Sequence, residues 1–465
     1  HQHIEALAAE AVARQRSGVG GYLLAEAAAR CQQQLGGAAQ ADAIAVDGRA
    51  VSIDVREGRL EQAERAEGVE IGLRVLIDGH QACVSASDIS PRTMFEMAQR
   101  AVAMARETPA DPYLGLAEPA QLAQSWDLAA LELSDSAPEP SAEALEHDAR
   151  TAESAALAVS GVNQVQSASA SYSSRRLHIA ATNGFEGGYG RTSRATPAVA
   201  IAGEGLGMER DWAAESRTFQ SDLPDAASIG LLAGQRAVER SGAQQPPTGA
   251  FPVLYDERIA GSLISHLLGA TNGAAIARGA SWARALLGEQ VLPAGLSIIE
   301  DPHRPRIAGS RPFDAEGLPT ARRSIVENGV LMGWTLDLAT ARKLGLQSTA
   351  SAARGTSSPP SPGAANIALT QGTKSRAELL REMGTGLWIT SMIGSSISQT
   401  TGDYSRGAAG FWVENGEIAY PVNECTVAGN LIEMLRSLIP ANDARSHLSH
   451  VVPSLLVEGL TLAGK

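Results

Sequence analysis

Aromatic residues are scarce in this chain: phenylalanine, tryptophan and tyrosine together make up 4% of its 465 residues. Its cores must therefore be built mainly from Ala, Val, Leu and Ile. Cysteine is rarer still. Cys31, Cys83 and Cys425 stand far apart, and none belongs to a CxxC pair. That spacing excludes a disulfide framework and a cysteine zinc knuckle, and it fits a reducing cytoplasm. No apolar run approaches the roughly 20 residues that a membrane-spanning helix needs. Basic charge is also in deficit, 38 Lys and Arg against 51 Asp and Glu, for a net charge of -13. A nucleic-acid binder would carry a basic face to collect phosphates, so that class is excluded. The common catalytic signatures are missing too: there is no GxSxG elbow, no GxxxxGK[ST] phosphate loop and no HExxH.

Glycine is abundant, at 47 residues, and much of it sits in turn dipeptides between strand-like runs. Glu57-Gly58, Asp78-Gly79, Asn183-Gly184, Asn328-Gly329 and Asn415-Gly416 supply the positive φ that tight hairpins need. The spacing predicts strands over 51–55 with 60–66 and over 71–77 with 81–85, a meander near the start. Further hairpins are predicted for 324–327 with 330–335 and for 409–414 with 417–422. Helices are expected from Ser90-Pro91 onward, over about 141–159, 226–240 and 427–438, and after the capping-box run Ser375-Arg376-Ala377-Glu378. Residues 1–40 read as an Ala-rich amphipathic helix with charges inside it, unlike a signal peptide. Proline-rich stretches at 134–140, 243–249 and 357–363 read as linkers or exposed loops.

Hairpins mixed with helices, without strict strand–helix alternation, define an α+β class. The expected layout is a helical segment 1–40, an N-terminal split α/β domain 41–242 with an antiparallel meander, and a linker 243–249. A C-terminal domain, 250–465, is expected to be rich in antiparallel β, barrel- or sandwich-like, with helices.

Polar candidates are dispersed. Gly203-Glu204-Gly205-Leu206-Gly207 lacks GxGxxG spacing and reads as a turn. His447 and His450 could share a metal across one helical turn, but no third ligand lies nearby. His266, among Leu263, Ile264, Leu267 and Leu268, reads as a hydrogen-bonded core or interface histidine, and Cys425 as a buried structural thiol. Asp314, Glu316, Arg322 and Arg323 are expected on solvated faces, with a groove rim as the alternative. The densest polar cluster is Gly402-Asp403-Tyr404-Ser405-Arg406-Gly407. It is either a loop whose Asp–Arg pair fixes its own shape or a peptide- or partner-binding segment.

Longer stretches then carry a resemblance. Glu300-Asp301-Pro302 with Pro312-Phe313-Asp314-Ala315-Glu316-Gly317, Ala341-Arg342-Lys343-Leu344-Gly345, Met383-Gly384-Thr385-Gly386-Leu387 and the run TGDYSRGAAGFWVENG over 401–416 resemble the PmbA/TldE family, historically called modulator of DNA gyrase. The resemblance extends from about residue 40 to PSLLVEGLTLAG at 453–464. It implies one subunit of a zinc peptidase whose TldD-type partner carries HExxxH and a cysteine. In the best register Ile264 and Ser265 stand at the first His and Glu, Gly269 at the second His and Met392 near the cysteine. The resemblance thus implies a metal-free subunit with no catalytic residue of its own, zinc being held by the partner. It also implies extended peptide substrates, such as leader segments and antitoxin fragments, held by backbone pairing. Two other readings stand beside it: a stand-alone peptide-binding homodimer, and a hydrolase using Asp403, Tyr404 and Arg406 or Cys425.

Overall fold

The computed structural model describes residues 40–465; the expected N-terminal helix and Cys31 lie outside the described residues. A six-stranded antiparallel sheet comes first. Its strands are β1 Gln40–Arg56, β2 Arg59–Ile77, β3 His80–Ala86, β4 Val162–Ala181, β5 Glu186–Ala202 and β6 Glu209–Arg217, in the order β3-β2-β1-β4-β5-β6. Glu57 and Gly58 (φ 51° and 68°) close the first hairpin, and Asp78 and Gly79 (φ 50° and 80°) the second. Paired positive φ makes both turns the type whose twist matches the flanking strands, so Glu57 does the work usually given to Asn. Asn183 differs: only Gly184 has positive φ there, and the turn is longer.

The two predicted runs 60–66 and 71–77 are one strand, β2. Their continuity is not announced in the residues, because 59–68 are exposed throughout and carry no alternating apolar pattern. Only Ile71–Ile77 of β2 pair with β3, so Arg59 to Glu70 have a strand neighbour on one side alone among the described residues.

Three helices cover this sheet. α1, Pro91–Glu107, starts as expected with Ser90 accepting from the Thr93 N–H, and it lays Met97, Ala98 and Ala101 on β2 and β3. α2, Ala142–Leu157, is capped by Ser141. α3, Ala226–Glu239, packs beside it through a seam made almost wholly of alanine. Gly230 permits the approach, since a Cβ there would overlap the Ala152 backbone. Small residues bring the two helices close, which answers the shortage of aromatic core residues.

The second half holds a closed five-stranded barrel beside a smaller five-stranded sheet and a two-stranded one. β7 Gly249–Tyr255, β8 Gly386–Ile397, β9 Asp403–Glu414, β10 Glu417–Asn430 and β11 Leu455–Ala463 run in the order β10-β9-β8-β7-β11. Pairing of Thr426, Val427 and Ala428 with Ala463, Leu462 and Thr461 closes the ring. Closure removes the sheet edges that would otherwise invite stray pairing. Only β7 and β8 are parallel, the other contacts being antiparallel. Helix α4, Glu257–Ala270, follows β7 directly and sends Leu263, Ile264 and Leu267 into the barrel core. Outside the barrel, α5, Arg376–Met383, forms the expected capping box between Ser375 and Glu378. It covers Trp388 and Phe411 with Leu379, Leu380 and Met383.

Two expectations need correcting here. The predicted helix 427–438 is shorter, Leu431–Ser437, because Val427 to Asn430 continue β10. Asp314 and Glu316 are not on a solvated face or a groove rim. Asp314 is buried and accepts from the Glu316, Leu318 and Ala352 backbone N–H groups. The Glu316 carboxylate accepts from Leu338 N–H at 2.9 Å. Arg323 likewise reaches buried Glu300 at 2.6 Å. These partners are distant in sequence, so no local pattern announces them.

The halves are joined by buried charge. Asp42 of β1 binds Arg74 of β2 (Nε at 2.9 Å) and Arg354 of the second half, and all three side chains are buried. Thr356 follows and donates to Glu70 at 2.5 Å.

Candidate functional site

The segment 402–407 begins at a turn and becomes the start of β9. Gly402, at φ 79°, donates to the Ser398 carbonyl at 2.9 Å and turns the chain into the strand. Asp403 is exposed and accepts from Thr401 Oγ1 (2.7 Å) and Asn430 Nδ2 (3.2 Å), bonds that hold its carboxyl below the ordinary range. The self-shaping reading is thus right in kind but wrong in partner: Arg406 makes no ion pair with Asp403. Arg406 instead donates from Nε to the Gly394 carbonyl at 2.7 Å. Ser405 and Gly407 pair along the ladder with Ser396 and Ile393 of β8.

Tyr404 turns inward. Its hydroxyl lies 3.4 Å from that of Tyr255, at the end of β7, and 4.0 Å from the Met392 sulfur on β8. The His266 ring of α4 meets the Tyr404 ring edge to face, with centroids 5.9 Å apart. Two pairs of consecutive elements, β7 with α4 and β8 with β9, therefore bring Tyr255, His266, Met392 and Tyr404 together, with Arg406 beside them. His266 is half-buried, and its Nε2 has no hydrogen-bond partner among the described residues. Burial first, and then Arg406, push its pKa down, and the ring is neutral at pH 7. Burial raises Tyr404, and burial with the neighbouring tyrosine raises Tyr255 further, so both stay protonated. The cluster is a set of neutral hydrogen-bonding groups with one cation at its rim. Both tyrosines are buried in the barrel core, and the cluster offers no carboxylate base.

Fit to a zinc ion is poor. Ile264 is fully buried in the core. Ser265 donates its hydroxyl to the Gly261 carbonyl at 2.9 Å, and Gly269 has no side chain. Met392 offers only a thioether, a weak ligand for zinc beside imidazole, thiolate and carboxylate. Among the described residues no group of three or more His, Cys, Asp or Glu is gathered as for a metal.

The remaining candidates are scattered. His447 Nε2 lies 3.3 Å from the Glu215 carboxylate without hydrogen-bond geometry, while His450 sits in a separate short strand paired to Ile367. Cys425 is buried, donates to the Ala408 carbonyl at 3.3 Å, and burial pushes its pKa up to about 11. That suits a structural thiol. Gly205–Gly207 is a single 3-10 turn with Leu206 wholly exposed. Tyr255 was missed as a site residue because its strand, GAFPVLY, carries only a core signal.

Three family models match in succession: PmbA/TldA metallopeptidase domain 1 over residues 41–105, the central domain over 135–243 and the C-terminal domain over 248–464. The chain belongs to the PmbA/TldD family. It is 35% identical over 416 residues to the metalloprotease PmbA of Escherichia coli, covering 89% of this chain and 90% of the relative. It is 33% identical over 431 residues to the metalloprotease PmbA homolog of Haemophilus influenzae, covering 92% of each. A crystal structure from Bacteroides thetaiotaomicron, described as a candidate modulator of DNA gyrase, superposes with a TM-score of 0.87 at 25% identity, covering 96% of this chain and 98% of that one. TldE from Thermococcus kodakarensis shares the fold, with a TM-score of 0.81 at 18% identity over 94% of this chain and 98% of that one.

Proposed function

We propose that this chain is the metal-free, non-catalytic subunit of a two-subunit cytoplasmic zinc peptidase. Its TldD-type partner holds the zinc and the general base and cleaves small or unfolded peptides, such as leader segments and antitoxin fragments. The observation that carries the reading is the chemistry at the four register positions. Ile264 is core, the Ser265 hydroxyl is satisfied by its own helix, Gly269 is bare and Met392 faces Tyr404. An activated water needs a metal held by imidazole, thiolate or carboxylate and a base to take its proton, and these positions supply none of them. The metalloprotease names of the relatives support peptide hydrolysis as the activity of the assembly. Arg406, with the turn at Gly402, contacts the extended peptide or the partner, and Tyr404 packs behind them in the barrel core.

The test is purification of the chain alone and with a HExxxH subunit, with zinc measured per chain and cleavage of an unfolded peptide followed. Zinc-free, inactive chain that becomes part of an active pair is expected. One tightly held zinc in the isolated chain, together with peptidase activity, would sink the proposal. The second reading, a stand-alone peptide-binding homodimer, is favoured by one observation: the unaccompanied edge of β2 from Arg59 to Glu70, which a second copy could cover. A two-chain mass that persists when the zinc subunit is present would favour it.

A further inference from the structure

A cleft of about 960 Å³ opens on the outside of the barrel, where α3 of the first half faces α5 and the rim of the β9–β10 hairpin. It is separate from the tyrosine cluster. Asp256, which caps α4, lines it, whereas His266 lies ten residues further on, about 15 Å along the helix axis.

The two walls differ in chemistry. One is apolar: Trp388 and Phe411 stack at 5.1 Å, and Tyr420, Ile418 and Leu232 continue the surface. Ile418 is 52% exposed and Leu232 39%, although both look into the same hollow. The other wall carries Arg236, Arg258 and Arg376. Two of these are already matched. Arg258 binds Asp256 at 3.1 Å and Asp211 at 3.2 Å, and Arg376 binds Asp256 at 3.2 Å while lying over the Trp388 ring at 4.6 Å. Asp256 is saturated, since it also accepts from Trp388 Nε1. The Asp443 carboxylate is turned to the Ser454 N–H and hydroxyl.

Arg236 is the exception. It donates to the Trp212 carbonyl at 3.0 Å and forms no ion pair with any described residue, Glu239 one turn on included. Burial first, and then the neighbouring Arg258 guanidinium, push its pKa below the ordinary value against the opposing pull of Asp211, Asp256 and Glu257, the last of which is held by Arg445 at 2.7 Å. A half-buried guanidinium with no carboxylate in direct contact, facing an aromatic wall, is matched by an anion attached to an apolar group.

We propose that this cleft binds the carboxyl terminus of a peptide, with the terminal carboxylate on Arg236 and an apolar or aromatic terminal side chain against Tyr420, Ile418 and Leu232. Guanidinium recognises a carboxylate through paired N–H donors, and the flat wall recognises the side chain by burial. The backbone before the last residue runs out of the open side, so chain length is not read. The inference does not rest on the subunit reading above, because it concerns binding to this chain alone.

The experiment is calorimetric titration of the full chain with N-acetyl-Ala-Ala-Phe as the free acid and as its carboxamide. The acid is expected to bind at least about tenfold more tightly than the carboxamide. Arg236→Gln should bring the acid down to the carboxamide's level, and Ile418→Ser, a surface change that leaves the fold alone, should weaken both probes. Equal binding of acid and carboxamide, no binding of either at millimolar concentration, or indifference to both substitutions would each overturn the assignment. Whether a HExxxH partner confers cleavage does not enter any of these readouts, so the two proposals fail separately.

Discussion

Gly72 of β2 and Thr356 of the second half meet backbone to backbone, with no room between them for a Cβ on the glycine. Its φ is ordinary, so the glycine is needed for space and not for conformation. Gly72→Ala should cost at least about 1–3 kcal/mol, because the backbone it would strike cannot swing aside. Urea denaturation of the two proteins measures this, and an unchanged midpoint would show that the halves are not pressed together there.

Beside that contact, Asp42 faces two buried guanidinium groups. Burial pushes its carboxyl up, but Arg354 and Arg74 together more than reverse this, and it titrates below the ordinary range. A depressed folded-state value adds stability that is present above the unfolded value of about 3.9 and is lost as pH falls through the folded one. Asp42→Ala should cost about 3–5 kcal/mol at neutral pH, because Arg74 and Arg354 are left buried without a partner. Thermal melts at pH 7 and pH 3 should differ sharply for the wild type and little for the variant.

Glu316 runs the other way. Burial, then the neighbouring Asp314, raise it to about 8, with Arg74 opposing and Asp337 adding to the rise. A raised carboxyl contributes stability that is whole below about 4.3 and declines as pH climbs to about 8. Glu316→Gln keeps the shape without the proton to lose. It should be more stable than wild type at pH 8.5, by on the order of a few kcal/mol, and nearly equal at pH 5. A wild type equally stable at both pH values would contradict the raised titration.

Cys425 should resist alkylation. With its pKa near 11 and its sulfur covered, the thiolate fraction at pH 7.5 is negligible. Peptide mapping after iodoacetamide treatment should find Cys425 unmodified in folded protein and modified in urea. Rapid labelling of the folded chain would revive the nucleophile reading.

Arg406→Ala should leave the melting temperature within about a degree, since one exposed bond to the Gly394 carbonyl is lost. Peptide cleavage by the reconstituted pair should fall several-fold. Undiminished cleavage would remove Arg406 from the contact surface.

How much of this was readable in the residues depends on whether the deciding contacts are local. The hairpins at Glu57-Gly58, Asp78-Gly79, Asn328-Gly329 and Asn415-Gly416 were, because a turn's φ requirement is met by the turn itself. So were the Ser90 and Ser375 caps, which satisfy N–H groups within three residues. The continuity of β2 through residues 67–70 and the strand character of Val427 to Asn430 were not, since β1 and β9 supply their pairing. The candidate site was half legible. Residues 402–407 stood out as polar, but the inward turn of Tyr404 depends on Tyr255, His266 and Met392 arriving from three other elements. Nor could spacing reveal that Asp314 and Glu316 are enclosed.

The ring of five strands has a consequence for how the protein is made. β7 is translated about two hundred residues before β11, the strand that must slot between it and β10. Until Leu455–Ala463 leave the ribosome, β7 and β10 present open flanks, and α4 has only part of its apolar surroundings. A ribosome stalled before Leu455 would release a chain with two unpaired strand flanks where the closed ring has no seam.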